Sequence, residues 1–166
     1  MSKVKIELEK EYKNFKYLVV GYLGYRCGYV RIPPGHRLYG LSYSEQIPVK
    51  FKELAGEKIG KRGIISFFCS GNLKPDDNVS MDLLFDVHGG ITFSGKFDKN
   101  VKKKDWWIGF DCAHDGDAKD FDLMDKKQKD FYKDFNFNDG IVRKTEYVEK
   151  ECKRLIDQII KWFSKK

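Results

Sequence analysis

Residues 145–163 read TEYVEKECKRLIDQIIKWF, and this stretch decides the predicted fold. Its apolar residues recur at intervals of three and four, which places them on one face of an α-helix. These residues are Val148, Cys152, Leu155, Ile159 and Phe163. Thr145 is the predicted N-cap, and Glu146 and Glu149 lie in the first turns, where the helix dipole favours carboxylates. The pattern predicts an amphipathic helix whose apolar face needs a sheet to cover it.

Several stretches before this helix have the composition of β-strands. Residues 3–9 alternate charged and apolar side chains, which predicts a half-buried strand at the edge of a sheet. Residues 17–22, 25–32, 64–69 and 106–110 are rich in β-branched and aromatic side chains and predict further strands. We therefore predict an α+β fold, in which a mostly antiparallel sheet is packed by the C-terminal amphipathic helix, in a single domain spanning residues 1–166.

Other stretches leave their structure open. Residues 36–50 are loop-like, and residues 52–62 fit either a short helix or a loop. The apolar stretches 81–87 and 90–97 predict two strands or one bent strand. Residues 111–125 form an Asp-rich loop.

The composition indicates an ordinary folded protein of the cytoplasm. The 166 residues are 41% hydrophobic and include 13 Phe, 9 Tyr and 3 Trp, enough for a core without disulfides. The cysteines at 27, 69, 112 and 152 form no CxxC pair, and no apolar run reaches the roughly 18 residues of a membrane span. We therefore expect a cytoplasmic location, reduced thiols and no membrane partner.

The charge balance favours anionic partners. The formal net charge is +7 and the pI is about 9.1. Much of the excess comes from lysine runs such as 102–104, whereas the planar arginine side chain is the one suited to reading bases. A small anionic molecule is thus a better predicted partner than a specific nucleic-acid sequence.

All three histidines lie in turn-like segments beside glycine. They occur in Pro34-Gly35-His36, His88-Gly89-Gly90 and Ala113-His114-Asp115-Gly116. Imidazole changes charge or binds metal near neutral pH, and a neighbouring glycine lets a ligand approach the backbone. These segments are therefore candidate site segments, centred on His88 and His114.

The segment from Asp111 to Asp117 leaves open what the site does. A divalent metal such as Zn could be held by four side chains, with Asp86 nearby: His88, Asp111, His114 and Asp117. Alternatively, Cys112 could be a nucleophile paired with a histidine, since in an extended chain it shares a face with His114. The segment could also be an Asx-rich turn with no chemistry.

A second candidate wall of the site is the strand that contains Arg26. Its guanidinium could clamp a phosphate, and Tyr25 and Tyr29 could stack on a ligand ring. Tyrosines in strands also pack against their own sheet, so both interpretations stay open for them.

Four motifs resemble, in this order, a family of small uncharacterised proteins that many bacteriophages and some bacteria encode. They are YRCGYV at 25–30, PPGH at 33–36, VHGGITFSG at 87–95 and WWIGFDCAHDGD at 106–117. The resemblance implies a phage-type accessory protein in the host cytoplasm. Small phage accessory proteins are often counter-defence factors, and several such families bind and sequester nucleotide immune signals.

On these observations we consider three functions, in order of preference. The first is binding and sequestration of a small anionic ligand, a nucleotide or cyclic nucleotide immune signal, with no cofactor and no catalytic residue. The second is a metal-dependent hydrolase, and the third is an inhibitor that binds a host protein. A homo-oligomer is compatible with each. The predicted ligand-binding residues are Tyr25, Arg26, Tyr29, His36, His88, Gly89, Gly90, Asp111, Cys112, His114 and Asp117.

Overall fold

Three consecutive N-terminal strands and a long C-terminal helix form the framework of the structure. The computed structural model describes residues 4–54, 72–97, 105–135 and 139–164. Its strands are β1 (Lys5–Tyr12), β2 (Phe15–Tyr22), β3 (Tyr25–Ile32), β4 (Gln46–Lys50), β5 (Asn78–Ser80), β6 (Phe93–Gly95), β7 (Trp106–Asp111), β8 (Asp117–Ala118) and β9 (Ile141–Val142). Its α-helices are α1 (Met81–Leu84), α2 (Lys126–Phe135) and α3 (Thr145–Phe163), and short 3-10 turns occupy Phe51–Leu54 and Phe121–Leu123.

The main sheet has five strands in the order β1-β2-β3-β7-β6, and every neighbouring pair is antiparallel. A two-residue turn joins β1 to β2, and both of its residues, Lys13 and Asn14, have the positive φ that matches the twist of a hairpin. Two further pairs lie outside this sheet: β4 with β5, and β8 with β9. The predicted antiparallel sheet with an edge strand at the N-terminus is confirmed.

Helix α3 covers one face of the sheet, as its sequence pattern predicts. Val148, Cys152, Leu155 and Ile159 are fully buried, and they share one core with side chains of the three central strands, including Val19, Val30 and Ile108. Burying each such side chain stabilises the fold by roughly 1.5–3 kcal/mol. The fold class, an α+β structure with a C-terminal helix on an antiparallel sheet, is confirmed.

The predicted N-cap of this helix is wrong by one residue. Lys144 occupies the N-cap position and makes no side-chain capping bond, while Thr145 is the first helical residue. The Thr145 hydroxyl donates instead to Glu7 at 3.0 Å. It therefore joins the helix to β1 rather than capping its own first turn.

A β-bulge in β1 breaks the alternation that its sequence predicts. The register with β2 shifts between Ile6 and Leu8, so that Ile6 faces Val20 and Leu8 faces Val19. Glu7 is the extra residue, and its carboxylate contacts Arg26 on the α3 side of the sheet. Ile6 consequently points to the opposite face from Leu8.

Two further predictions are corrected by the structure. The loop predicted for residues 36–50 ends in strand β4, whose Ile47 and Val49 are buried. The strand predicted at 81–87 is the helical turn α1, preceded by the short strand β5. A short apolar run buried on several sides gives no period that separates strand from helix. The strand predicted at 64–69, with Cys69, and most of 52–62 lie outside the described residues.

In the described parts of the chain, no helix is both long and apolar enough to cross a membrane.

Candidate functional site

His88 is held by hydrogen bonds on three sides. Its backbone N–H donates to Glu151 Oε2 at 2.8 Å. Its ring Nδ1 lies 3.0 Å from the Tyr147 hydroxyl, and its Nε2 lies 2.7 Å from Asp117 Oδ2. Tyr147 and Glu151 are four residues apart on α3, so one turn of this helix fixes both the backbone and the ring of His88.

Asp117 lies at the centre of the group of polar residues around His88, and only 1% of its side chain is exposed. It accepts hydrogen bonds from Arg143 Nε at 2.9 Å and from the backbone N–H of His114 at 3.1 Å, in addition to His88. Burial raises the pKa of this carboxyl, but the bonds from Arg143, His88 and the His114 amide outweigh burial and lower its pKa. The parallel pairing of Asp117 with Ile141 brings Arg143, two residues further on, beside the carboxylate.

His114 forms a second pair of imidazole and carboxylate next to the first. Its ring centroid is 5.7 Å from that of His88, and its Nε2 is 3.5 Å from Asp111 Oδ1. This nitrogen is buried, and the structure shows no hydrogen-bond partner for it. Asp111 is oriented by Thr92 Oγ1 at 2.8 Å and by the backbone N–H of Ala113 at 3.1 Å. Two histidines, each beside an aspartate, thus meet at this end of the sheet.

Gly89 lies directly against the His114 ring. Its φ is +65°, and a Cβ at this position would overlap the imidazole. Gly90 also has a positive φ, of +89°, but a Cβ there would meet nothing within 4 Å. The two glycines predicted as site residues therefore differ: the first makes room for His114, and the second borders open space.

Cys112 does not join this cluster. The thiol is buried in the core beneath α3, and burial together with the nearby Asp117 raises its pKa well above the usual range. The prediction that it shares a face with His114 is wrong, because the chain turns after β7 and brings His114 back to Asp111. A neutral buried thiol gives no support to the nucleophile hypothesis.

Arg26 lies in a separate, buried network. Its guanidinium contacts Glu7 and Asp120, and it also donates to Thr145 Oγ1 at 3.2 Å and to the carbonyl oxygen of Arg143 at 3.2 Å. Burial raises the pKa of Asp120, but Lys144 and Arg26 lower it to about 2. These contacts join β1, β3, the segment after β8 and the start of α3, so Arg26 is bound to the protein itself.

The remaining predicted residues lie elsewhere. Lys119 Nζ lies 4.0 Å above the ring of Tyr25. Tyr29 packs edge-on against Phe93 and Phe97 on the face of the sheet away from α3. His36 packs against Phe163, sixteen residues beyond Tyr147 on α3, or roughly 24 Å along the helix axis. The structure thus brings together His88, Gly89, Asp111, His114 and Asp117, with Gly90 at the edge and Tyr25, Arg26, Tyr29 and His36 outside.

The described residues do not form the set of ligands that the alternative metal site requires. No group of three or more His, Cys, Asp or Glu side chains among them is arranged around a common point. Both ring nitrogens of His88 are occupied by hydrogen bonds, and Asp86 faces Arg154 at 3.5 Å rather than the histidines. The metal-dependent hydrolase stays a prediction.

Sequence reasoning missed Arg143 and Tyr147. The Arg143 guanidinium carbon lies 4.7 Å from the centre of the Tyr147 ring, and its Nε binds Asp117. The sequence does indicate that Tyr147 and Glu151 share a face of the helix, because they are four residues apart and lie beside its apolar stripe. The position of Arg143 depends on the pairing of β8 with β9, two strands of only two residues, which no sequence pattern indicates.

Comparison of the chain with protein-family models, with curated proteins and with solved structures gives no match. The resemblance to phage-encoded proteins therefore stays a prediction, and function has to be argued from the site.

Proposed function

We propose that the protein binds and retains a small anionic ligand, a nucleotide or cyclic nucleotide, at the cluster formed by His88, His114, Asp117, Arg143 and Tyr147. Such retention would suit a phage-type counter-defence protein that sequesters an immune signal in the host cytoplasm. The net charge of +7 supports an anionic partner.

The observation that carries the proposal is the position of Arg143. Its Nε is fixed on Asp117, and its guanidinium lies over the Tyr147 ring. Its side chain is 24% exposed, and among the described residues the terminal nitrogens Nη1 and Nη2 have no hydrogen-bond partner. A guanidinium that is fixed along one edge and open along the other suits bidentate binding of a phosphate.

The surrounding groups support the same ligand. The charge of Asp117 is already balanced by that of Arg143, so it repels an incoming anion less than a free carboxylate would. The rings of His114 and Tyr147 are partly exposed and offer flat surfaces for a base. Gly90 has no side chain and borders open space, so a ligand can approach the backbone of this turn.

Calorimetric titration of the purified chain tests the proposal directly. The ligands are inorganic phosphate, mononucleotides, 3′,5′-cyclic mononucleotides and cyclic dinucleotides. Arg143→Gln should weaken binding by about 10- to 100-fold, the loss expected for charge-assisted hydrogen bonds. Arg31→Gln is the matched control, because Arg31 is similarly exposed, at 29%, and also contacts a single aspartate. Equal effects of the two substitutions, or no binding by any of these ligands, would contradict the proposal.

A second candidate, hydrolysis of a phosphodiester without metal, is favoured by the two neighbouring His–Asp pairs. One imidazole could take a proton from water as its oxygen bonds to phosphorus, while the other, protonated, donates to the departing oxygen as its bond to phosphorus breaks. Binding is placed first because both ring nitrogens of His88 are occupied. Recovery of the ligand after denaturation separates the two: an intact ligand supports retention, and a cleaved one supports hydrolysis. The inhibitor of a host protein stays a prediction.

A further inference from the structure

The face of the sheet away from α3 carries its own apolar cluster. Leu18, Val20 and Trp107 are buried there. Three further rings pack on them: Tyr29, Phe93 and Phe97. Tyr29 meets Phe97 edge-on with centroids 4.8 Å apart, and Phe93 stacks on Phe97 with centroids 5.5 Å apart. These rings pack against one another and so fix each other's positions, and together they form an aromatic wall on this face of the sheet.

A cavity of ≈160 Å³ opens between this wall and the edge strand. Its main lining residues come from β1 and the residue before it, from β2 and β3, and from the segment after β6: Val4, Ile6, Leu18, Val20, Tyr29 and Phe97. The bulge in β1 contributes to this lining, because it sends Glu7 to the α3 side while Ile6 stays on this one. The mouth is bordered by apolar side chains that remain exposed, with Val4 at 56% and Ile6 at 43%.

None of the described residues that line the cavity is charged. Three of its lining residues carry a polar group, Tyr22, Cys27 and Tyr29, and burial raises the pKa of the Cys27 thiol to about 11. The thiol is therefore neutral at pH 7, and the cavity would exclude an anion or a cation. Its chemistry is the opposite of that at the His88–His114 cluster.

We propose that this cavity is a second binding site, which takes one small, uncharged aromatic molecule. An apolar space of about 150 Å³ has the volume for a benzene ring. The edges and faces of Tyr29 and Phe97 favour an aromatic guest over a saturated one, since ring pairs add to the effect of burial. This site goes beyond the proposed function and shares none of its residues.

Toluene titrated into the full-length protein, followed by methyl and amide NMR spectra, tests this inference. We expect dissociation constants on the order of 0.1–1 mM, within the limits for a ligand of seven heavy atoms, with shifts centred on Leu18 and Val20. Methylcyclohexane, which has a similar shape but no aromatic ring, should bind more weakly, and benzoate, a charged ring, should not bind. Equal binding of all three, or no shift up to the solubility limit of toluene, overturns the proposal.

Ile6→Phe places a ring of the chain itself in the mouth and should abolish toluene binding. The matched control is Ile141→Phe, an exposed isoleucine at 59% on β9 that does not line the cavity. If Ile6→Phe fails to fold, the toluene titration of the unaltered protein still tests the proposal. A protein that is dimeric in solution and becomes monomeric on Ile6→Phe would show that a second copy covers this face, and would also overturn the proposal. Arg143→Gln should leave toluene binding unchanged, so failure here and failure at the anion site are distinguishable.

Discussion

His88 Nε2 lies 2.7 Å from Oδ2 of Asp117, a carboxylate that is almost completely shielded from solvent. Removing one partner from such a buried pair leaves the other polar group without compensation, which costs more than the intact pair contributes. The two residues are separated by 29 positions and join the loop before β6 to the start of β8. They therefore fix the geometry of the site and the local stability at once.

Asp117→Asn should destabilise the protein by roughly 3 kcal/mol, because Arg143 and His88 lose the charge that both of them bind. Urea unfolding followed by circular dichroism measures this loss. Asp115→Asn is the control, since Asp115 is exposed two residues away, and it should change stability by less than about 0.5 kcal/mol. Similar losses in both variants would mean that Asp117 has no special structural role.

Gly89→Ala should destabilise the protein more than Gly90→Ala. Both substitutions place a side chain at positive φ, which costs roughly 1–2 kcal/mol, but only the first also forces the His114 ring to move. The imidazole resonances of His114 should shift in Gly89→Ala and stay in place in Gly90→Ala. Equal destabilisation with no change at His114 would refute the packing described for this glycine.

Arg26→Met should cost roughly 3–5 kcal/mol, because it leaves Glu7 without its main partner and removes one partner of Asp120. Arg37→Met is an exposed arginine-to-methionine control and should be nearly neutral. Adding Glu7→Gln to Arg26→Met should recover part of the loss, since it removes the uncompensated charge. Without such recovery, the destabilisation would have to come from lost packing alone.

Stability should fall as the pH decreases from about 4.5 to about 2. In the folded protein, Lys144 and Arg26 lower the pKa of Asp120 from 3.8 to about 2, against the effect of burial, and Lys153 and Tyr17 lower that of Glu149 from 4.5 to about 2. The unfolded chain therefore binds these protons first, so their contribution is complete above pH 5 and is lost across this interval. Asp120 alone accounts for about 2 kcal/mol. The free energy of unfolding at pH 5, 4 and 3 measures the slope, which should be shallower for Asp120→Asn.

The elements that sequence patterns predicted correctly are those with a clear period. The apolar stripe of α3 and the β-branched runs of β2 and β3 each leave one arrangement that buries their apolar side chains. The residues from Met81 to Phe85 are buried on several sides, so the spacing of their apolar side chains does not distinguish a helix from a strand. The sequence pattern therefore predicted a strand where the structure has a helical turn.

The candidate site was predictable in part. His88, His114 and their aspartates were identified because imidazoles beside glycine stand out in a chain with three histidines. Arg26 was assigned to a ligand because its chemistry fits an anion, but the carboxylates that occupy it come from 19 and 94 residues away. The sequence shows which chemical groups the chain has. Which of these groups are already bound by the chain's own side chains depends on contacts between residues that are far apart in the sequence.

The hydrogen bond from Thr145 to Glu7 joins residues that are 138 positions apart, and it has a consequence for how the protein is made. The hairpins of β1, β2 and β3 have local contacts and can form early, while their α3-facing side chains, such as Val19 and Val30, are still uncovered. Helix α3 supplies that cover, and it also supplies Tyr147 and Glu151 to His88. During synthesis the emerging sheet therefore exposes apolar side chains, and the candidate site around His88 is completed only after α3 has left the ribosome.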